Sequence, residues 1–183
     1  MNSIIPKLFV SVMLALSLAS IASAQFRGGD ISLGLHSGLI GTGDALDFGF
    51  DGEIGTGRLG PGSVGLGGLV DFYSWRNAGS YGHYEYIDWI ATCMYHLTLS
   101  YGRLDPFLGL FIGYEEATFK IDPGYQYLTD GKSISNDQSS PTLGLGGGIR
   151  YFFTRSWAVQ ARVAGGYGYY LFAVGLNYEL RSK

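Results

Sequence analysis

Residues 170–180 read YLFAVGLNYEL. Tyr170, Phe172, Val174, Leu176, Tyr178 and Leu180 fall on one parity, and Leu171, Ala173, Gly175, Asn177 and Glu179 on the other. Successive side chains of a strand point to opposite faces, so a period of two separates a bulky apolar face from a smaller, more polar one. A helix would scatter the same residues around its circumference. The stretch is a strand.

The same rhythm recurs seven times upstream. Ile31, Leu33 and Leu35 alternate with Asp30, Ser32, Gly34 and His36; Phe48, Phe50 and Ile54 alternate with Asp47, Gly49, Asp51 and Glu53. Val64, Leu66, Val70 and Phe72 oppose Gly65, Gly67, Asp71 and Tyr73, and Ile87 to Leu97 on odd numbers oppose Asp88 to His96 on even ones. Leu108, Leu110, Ile112 and Tyr114 oppose Gly109, Phe111, Gly113 and Glu115. Leu143, Leu145, Ile149 and Tyr151 oppose a row of glycines and Arg150, while Trp157, Val159, Ala161 and Val163 oppose Ala158, Gln160, Arg162 and Ala164. Eight strands of about 10 residues each suit a tilted crossing of a bilayer, and an even number suits a single-chain bacterial barrel.

Composition points the same way. The chain holds 30 glycines in 183 residues, more than twice the usual share, and only 15% charged residues against about 25% in soluble domains. Aromatics reach 15%, with 14 tyrosines. Abundant Gly and Tyr with little charge fits a wall that faces lipid around a narrow lumen. A sheet edge in lipid leaves amides unpaired, so the sheet must close. The reading is an all-β fold, an eight-stranded antiparallel transmembrane up-and-down β-barrel, with its apolar faces outward. A soluble lipocalin-type barrel would share the alternation. Its exterior would need more Lys and Glu, and aromatics near strand ends (Tyr84, Tyr86, Tyr95, Tyr151, Trp157, Tyr170, Tyr178) read instead as interfacial girdles.

The N-terminus reads as an export leader. Lys7 precedes the uncharged run of residues 8–21, and Ala22-Ser23-Ala24 offers the small-x-small cleavage pattern, so residues 1–24 are expected to be a signal peptide cleaved before Gln25. Residues 25–183 then form the barrel domain, placed in the outer membrane of a diderm bacterium. Cys93 is the only cysteine, so no intrachain disulfide forms, and its parity turns it toward lipid as a small hydrophobe. With a periplasmic N-terminus the odd-numbered connections lie outside the cell. The longest of these, roughly 120–140, is rich in Pro, Gly, Asp, Asn and Ser. The shorter turns, near 55–61, 98–103 and 154–156, fall on the periplasmic side.

Several segments resemble a known family. Residues 95–97 (YHL), 104–110 (LDPFLGL), Gly113-Tyr114, 148–154 (GIRYFFT) and the ending from Tyr167 to Tyr178 are similar to elements of the small outer-membrane β-barrel group that includes OmpA/OmpX-like and opacity-type porin β-barrel domains. The resemblance spans roughly 87–180. It implies a surface-exposed structural or interaction protein, with outer-membrane lipid and the barrel-assembly machinery as partners. Two departures stand out. Family members usually end on an aromatic, whereas Leu180 is followed by Arg181-Ser182-Lys183; and the position of Arg162 is often acidic, where it could pair with the arginine matching Arg150.

The inward faces collect Asp47, Asp51, Glu53, Asp71, Asp88, Glu115 and Glu179 against Arg150 and Arg162, with Gln160 and Asn177 beside them. Charges in a narrow lumen must be paired or hydrated. They form either a plug of ion pairs or a thin, cation-favouring water path. His36 and His96 point inward and His83 sits near an external loop, but no two share a metal-ligand spacing. His96 with Ser100 or His83 with Ser80 lacks any catalytic motif. No catalytic residue, metal or cofactor is expected, and the chain is read as a non-enzyme. Mild acidity, a formal net charge of -3, excludes nucleic acid as a partner. Tyr125, Tyr127 and Leu128 in the longest loop are the candidates for contact with a host or neighbouring surface protein. The alternative function is a small porin-like passive channel for ions or small solutes.

Overall fold

The computed structural model describes residues 25–40, 45–76, 81–100, 102–122, 124 and 137–182. The leader assigned to 1–24 lies outside them, as do Tyr125, Tyr127 and Leu128. Eight strands follow one another: β1 (Ile31–Ile40), β2 (Ala45–Leu59), β3 (Gly62–Trp75), β4 (Gly82–Leu97), β5 (Leu104–Ile121), β6 (Asp137–Phe152), β7 (Trp157–Tyr167) and β8 (Tyr169–Leu180). Each pairs antiparallel with its chain neighbour, and β1 pairs with β8 from Ile31 opposite Leu180 to Ile40 opposite Leu171. The closed sheet has no free edge, which is the condition for strands to sit in hydrocarbon.

The alternating faces sort as the sequence predicts. Leu110, Ile112, Leu145, Tyr170, Phe172 and Val174 lie more than half exposed, and the apolar residues of every strand join them in a continuous outer belt. A soluble monomer rarely shows more than a few hundred Å² of contiguous apolar surface. The belt is therefore the lipid-facing surface of a transmembrane barrel. Cys93 is exposed within it.

The belt also locates the water line. Outward positions on β4 run from Tyr95 through Trp89 and Ile87 to Glu85 and His83, and on β5 from Leu108 through Tyr114 to Glu116, Thr118 and Lys120. These strands, 16 and 18 residues long, exceed the roughly 10 that span a bilayer. Their surplus forms a polar collar above the belt at the end opposite the chain termini. Lys120 bridges to Glu85 at 2.6 Å and holds that carboxyl below its usual range, while Arg76 and His83 both reach Asp122 at 2.9 Å.

Three sequence expectations change. The turn expected over 55–61 shrinks to Gly60-Pro61, because β2 continues through a bulge between Gly55 and Gly57 that lets it follow the curving sheet. The loop expected over 120–140 shortens to 122–136, since both flanking strands rise into the collar. Tyr84 and Tyr86 do not belong to a lipid girdle. They share the inward parity of Asp88, so Tyr86 stacks on Tyr73 (centroids 4.6 Å apart, planes 3° apart) and Tyr84 meets Trp75 and Phe119 inside the collar. The tightest connection is Gly168 alone between β7 and β8, at φ 71°, a conformation that favours glycine.

At the other end the chain folds into its own barrel. Phe26 is 2% exposed, its carbonyl accepts from Ser63 Oγ, and Gln25 Nε2 donates to Leu99 O at 2.6 Å. Asp30 ties both ends together, accepting from the Arg27 and Ser182 amides at 3.0 Å.

The barrel lumen as candidate functional site

The inward parity brings the polar residues to one axis, where they form two linked clusters. The first surrounds Arg150 of β6. Its Nη2 donates to Glu53 Oε2 at 2.6 Å, its Nε donates to Gln160 Oε1 at 2.9 Å, and Asp105 Oδ2 lies 3.8 Å from Nη1. His96 links the same two acids, with Nε2 2.7 Å from Glu53 and Nδ1 3.0 Å from both Asp105 oxygens. Phe26 covers the His96 ring at 4.5 Å, and Phe107 lies under the guanidinium of Arg150 at 5.1 Å. Arg150 is 1% exposed, so this pairing is what makes its charge tolerable there.

The second cluster is built on His36 of β1. Its Nδ1 lies 3.2 Å from Asp51 Oδ1, and its Nε2 lies 2.6 Å from Asp71 Oδ1 and 3.8 Å from Asp47 Oδ2. Asp51 connects onward to Arg162 at 3.5 Å and accepts from Asn177 Nδ2 at 3.3 Å. Tyr169 Oη donates to Asp71 Oδ2 at 2.5 Å. Farther toward the collar, Tyr73 Oη donates to Glu115 Oε2 at 2.5 Å. Arg162 thus finds its counter-charge in Asp51 rather than in Arg150's neighbourhood.

Glycines make these contacts possible. His36, Gly49 and Asp71 are successive partners across β1, β2 and β3, and a Cβ on Gly49 would strike both His36 Nε2 and Asp71 Oδ1. Gly65 likewise leaves the space through which Glu53 reaches His96. Each is a gap that a neighbouring polar chain crosses.

Asp47, Asp51, Glu53, Asp71, Asp88, Arg150, Gln160, Arg162, Asn177 and Glu179 are all buried inside the barrel, and Glu115 is half-buried. Glu179 is joined to Arg181 Nη2 at 2.5 Å at the end that carries the termini. Asp105 belongs to the lumen set although sequence reasoning took it only as part of the LDPF segment; its inward parity with Phe107 and Gly109 was the available signal. The pairing of His96 with Ser100 does not form, because both ring nitrogens face carboxylates. His83 engages Asp122 and Glu85, and Ser80 lies outside the described residues.

Above the clusters the inward side chains are apolar. Ile40, Leu69, Ile90, Phe111, Tyr169 and Leu171 are each 5% exposed or less and form one cluster, with Tyr73 and Trp75 against it. Phe111 and Tyr169 meet edge to face at 5.1 Å.

No protein-family model and no curated protein matches the sequence. Solved structures do match. The outer membrane protein OprG from Pseudomonas aeruginosa aligns with a TM-score of 0.58 at 13% identity, over 88% of this chain and 100% of that one. Ail, the attachment invasion locus protein of Yersinia pestis, aligns at 0.51 and 14%, over 84% and 100%. Neisserial surface protein A aligns at 0.50 and 14%, over 81% and 94%. At such identities the likeness is one of fold.

Proposed function

We propose that this small eight-stranded outer-membrane β-barrel is a surface-exposed, adhesin-like interaction protein whose lumen does not conduct. The observation that supports this most is the filled interior. Phe26, Arg150 and His96 occupy one end, and Phe111, Ile90 and Leu69 the other, all at 5% exposure or less. A pore needs a continuous hydrated path, and rows of desolvated side chains interrupt it. With the lumen occupied, interaction falls to the collar of β3 to β6 and the loops it carries. Rigid walls that lift loops above a membrane are the usual scaffold for recognition. The likeness in fold to Ail, whose name describes attachment and invasion, supports this reading.

Two measurements test the reading. In planar bilayers the folded chain is expected to give no conductance steps; regular steps would favour the passive channel instead. Cells displaying the chain are expected to adhere to a host-cell monolayer, and replacing residues 125–136 with a short Gly/Ser linker to abolish adhesion while heat-modifiable gel migration persists. Adhesion that survives the replacement would refute the role given to Tyr125, Tyr127 and Leu128.

A further inference from the structure

The His36 cluster gathers three side chains of metal-ligating type. The donor atoms of His36, Asp47 and Asp71 lie within 4.8 Å of one another, and all three residues are buried. Among the described residues neither carboxylate oxygen of Asp47 has a hydrogen-bond partner, although Asp47 is 0% exposed; its nearest ion pair there is the 3.8 Å approach to His36 Nε2. Asp88 is also fully buried with both oxygens unpartnered among the described residues, and it stands directly opposite Asp71 in the β3–β4 ladder. Unpaired carboxylates in a water-excluded interior are costly unless neutralised, and Arg150 and Arg162 pair with Glu53 and Asp51 instead.

We propose that His36, Asp47 and Asp71 bind one divalent transition-metal ion of the zinc class inside the barrel. The ion takes the place of the proton held between His36 Nε2 and Asp71 Oδ1, which is released. Neutral imidazole and two carboxylates then balance its charge. An imidazole nitrogen with few oxygens suits zinc or its neighbours better than calcium or magnesium. Zinc–ligand distances of about 2.0–2.2 Å put tetrahedral donors roughly 3.5 Å apart, so Asp47 closes slightly on His36 from 3.8 Å while Asp71 draws back from its 2.6 Å hydrogen bond. The surroundings are those of a supported site. Asp51 accepts from the far ring nitrogen of His36, and Tyr169 Oη orients the outer oxygen of Asp71. The missing Cβ at Gly49 lets His36 Nε2 and Asp71 Oδ1 converge on one spot.

The site is enclosed, so the ion is best supplied during folding. The full chain is refolded into detergent with excess Zn²⁺, desalted, checked for heat-modifiable migration and analysed for bound zinc. One zinc per chain is expected, together with a heat-unfolding midpoint several degrees above that of chain refolded with a chelator. Asp47→Asn removes a carboxylate that accepts no hydrogen bond among the described residues, so it should fold and yet bind zinc at least tenfold more weakly. His36→Gln should do the same. His83→Ala, at the exposed collar group with Asp122, should bind as the unaltered chain does. A folded chain without zinc, full occupancy in Asp47→Asn, or loss confined to His83→Ala would each overturn the proposal.

Discussion

The hydroxyl of Tyr169, at the start of β8, donates a 2.5 Å hydrogen bond to Asp71 of β3, across the lumen rather than along the wall. It joins strands that are not neighbours in the sheet. Tyr169→Phe is therefore expected to cost about 1.5–3 kcal/mol, the range for a hydrogen bond to a charged acceptor. Urea unfolding in detergent, followed by the fluorescence of Trp75, Trp89 and Trp157, measures it. An unchanged midpoint would show that Asp71 is held adequately by His36 alone.

Arg150 and Glu53 form another cross-barrel link. Arg150→Met leaves Glu53 and Asp105 facing only His96, and a broken buried pair costs about 3–5 kcal/mol. Glu53→Gln should be comparably damaging. The double variant should lose clearly less than the sum of the two, because the second change removes a charge already stranded. Strict additivity in the cycle would mean the two groups are not coupled.

Glycines in the same strand should differ sharply. Gly49→Ala pushes a methyl into His36 and Asp71 and should destabilise by about 1–3 kcal/mol, as overpacking does. Gly52 faces outward, with its nearest neighbour atom, Leu33 Cδ2, at 3.6 Å. Gly52→Ala should be neutral or mildly stabilising, by up to about 1 kcal/mol, since alanine restrains the unfolded chain. Equal effects at both positions would contradict the crossing of polar chains over Gly49.

Lipid exposure makes its own demand. Leu110 lies mid-belt on β5, between Leu108 and Ile112. Leu110→Arg should cost about 2–4 kcal/mol when unfolding is measured from phospholipid vesicles, whereas a charge near the interface costs about 0–1 kcal/mol. Ser139→Arg, in the collar opposite Glu116, tests the second case. Similar penalties at both sites would place the water line elsewhere.

How far the sequence carries can be seen in single elements. In β8 every outward residue from Tyr170 to Leu180 was legible, because parity is a local property of the chain. Parity also gave the inward direction of His36, Asp47 and Asp71, yet not their meeting. Their numbers show no ligand spacing, and only the register of β1, β2 and β3 sets them side by side. Tyr84 and Tyr86 had the inward parity too, but their place near a strand end suggested a girdle; the height of the collar reverses that. The bulge at Gly55–Gly57 was hidden for a related reason, since glycine-rich turn chemistry and a glycine-rich bend look alike before the partner strand is known.

The linear chain thus settled which side of the wall each residue occupies, and with it the all-β, membrane-facing architecture, because a two-residue repeat needs no knowledge of distant partners. The closed, tilted sheet decided which inward groups touch, since a narrow cylinder lets side chains from strands far apart in number face one another across a few ångströms.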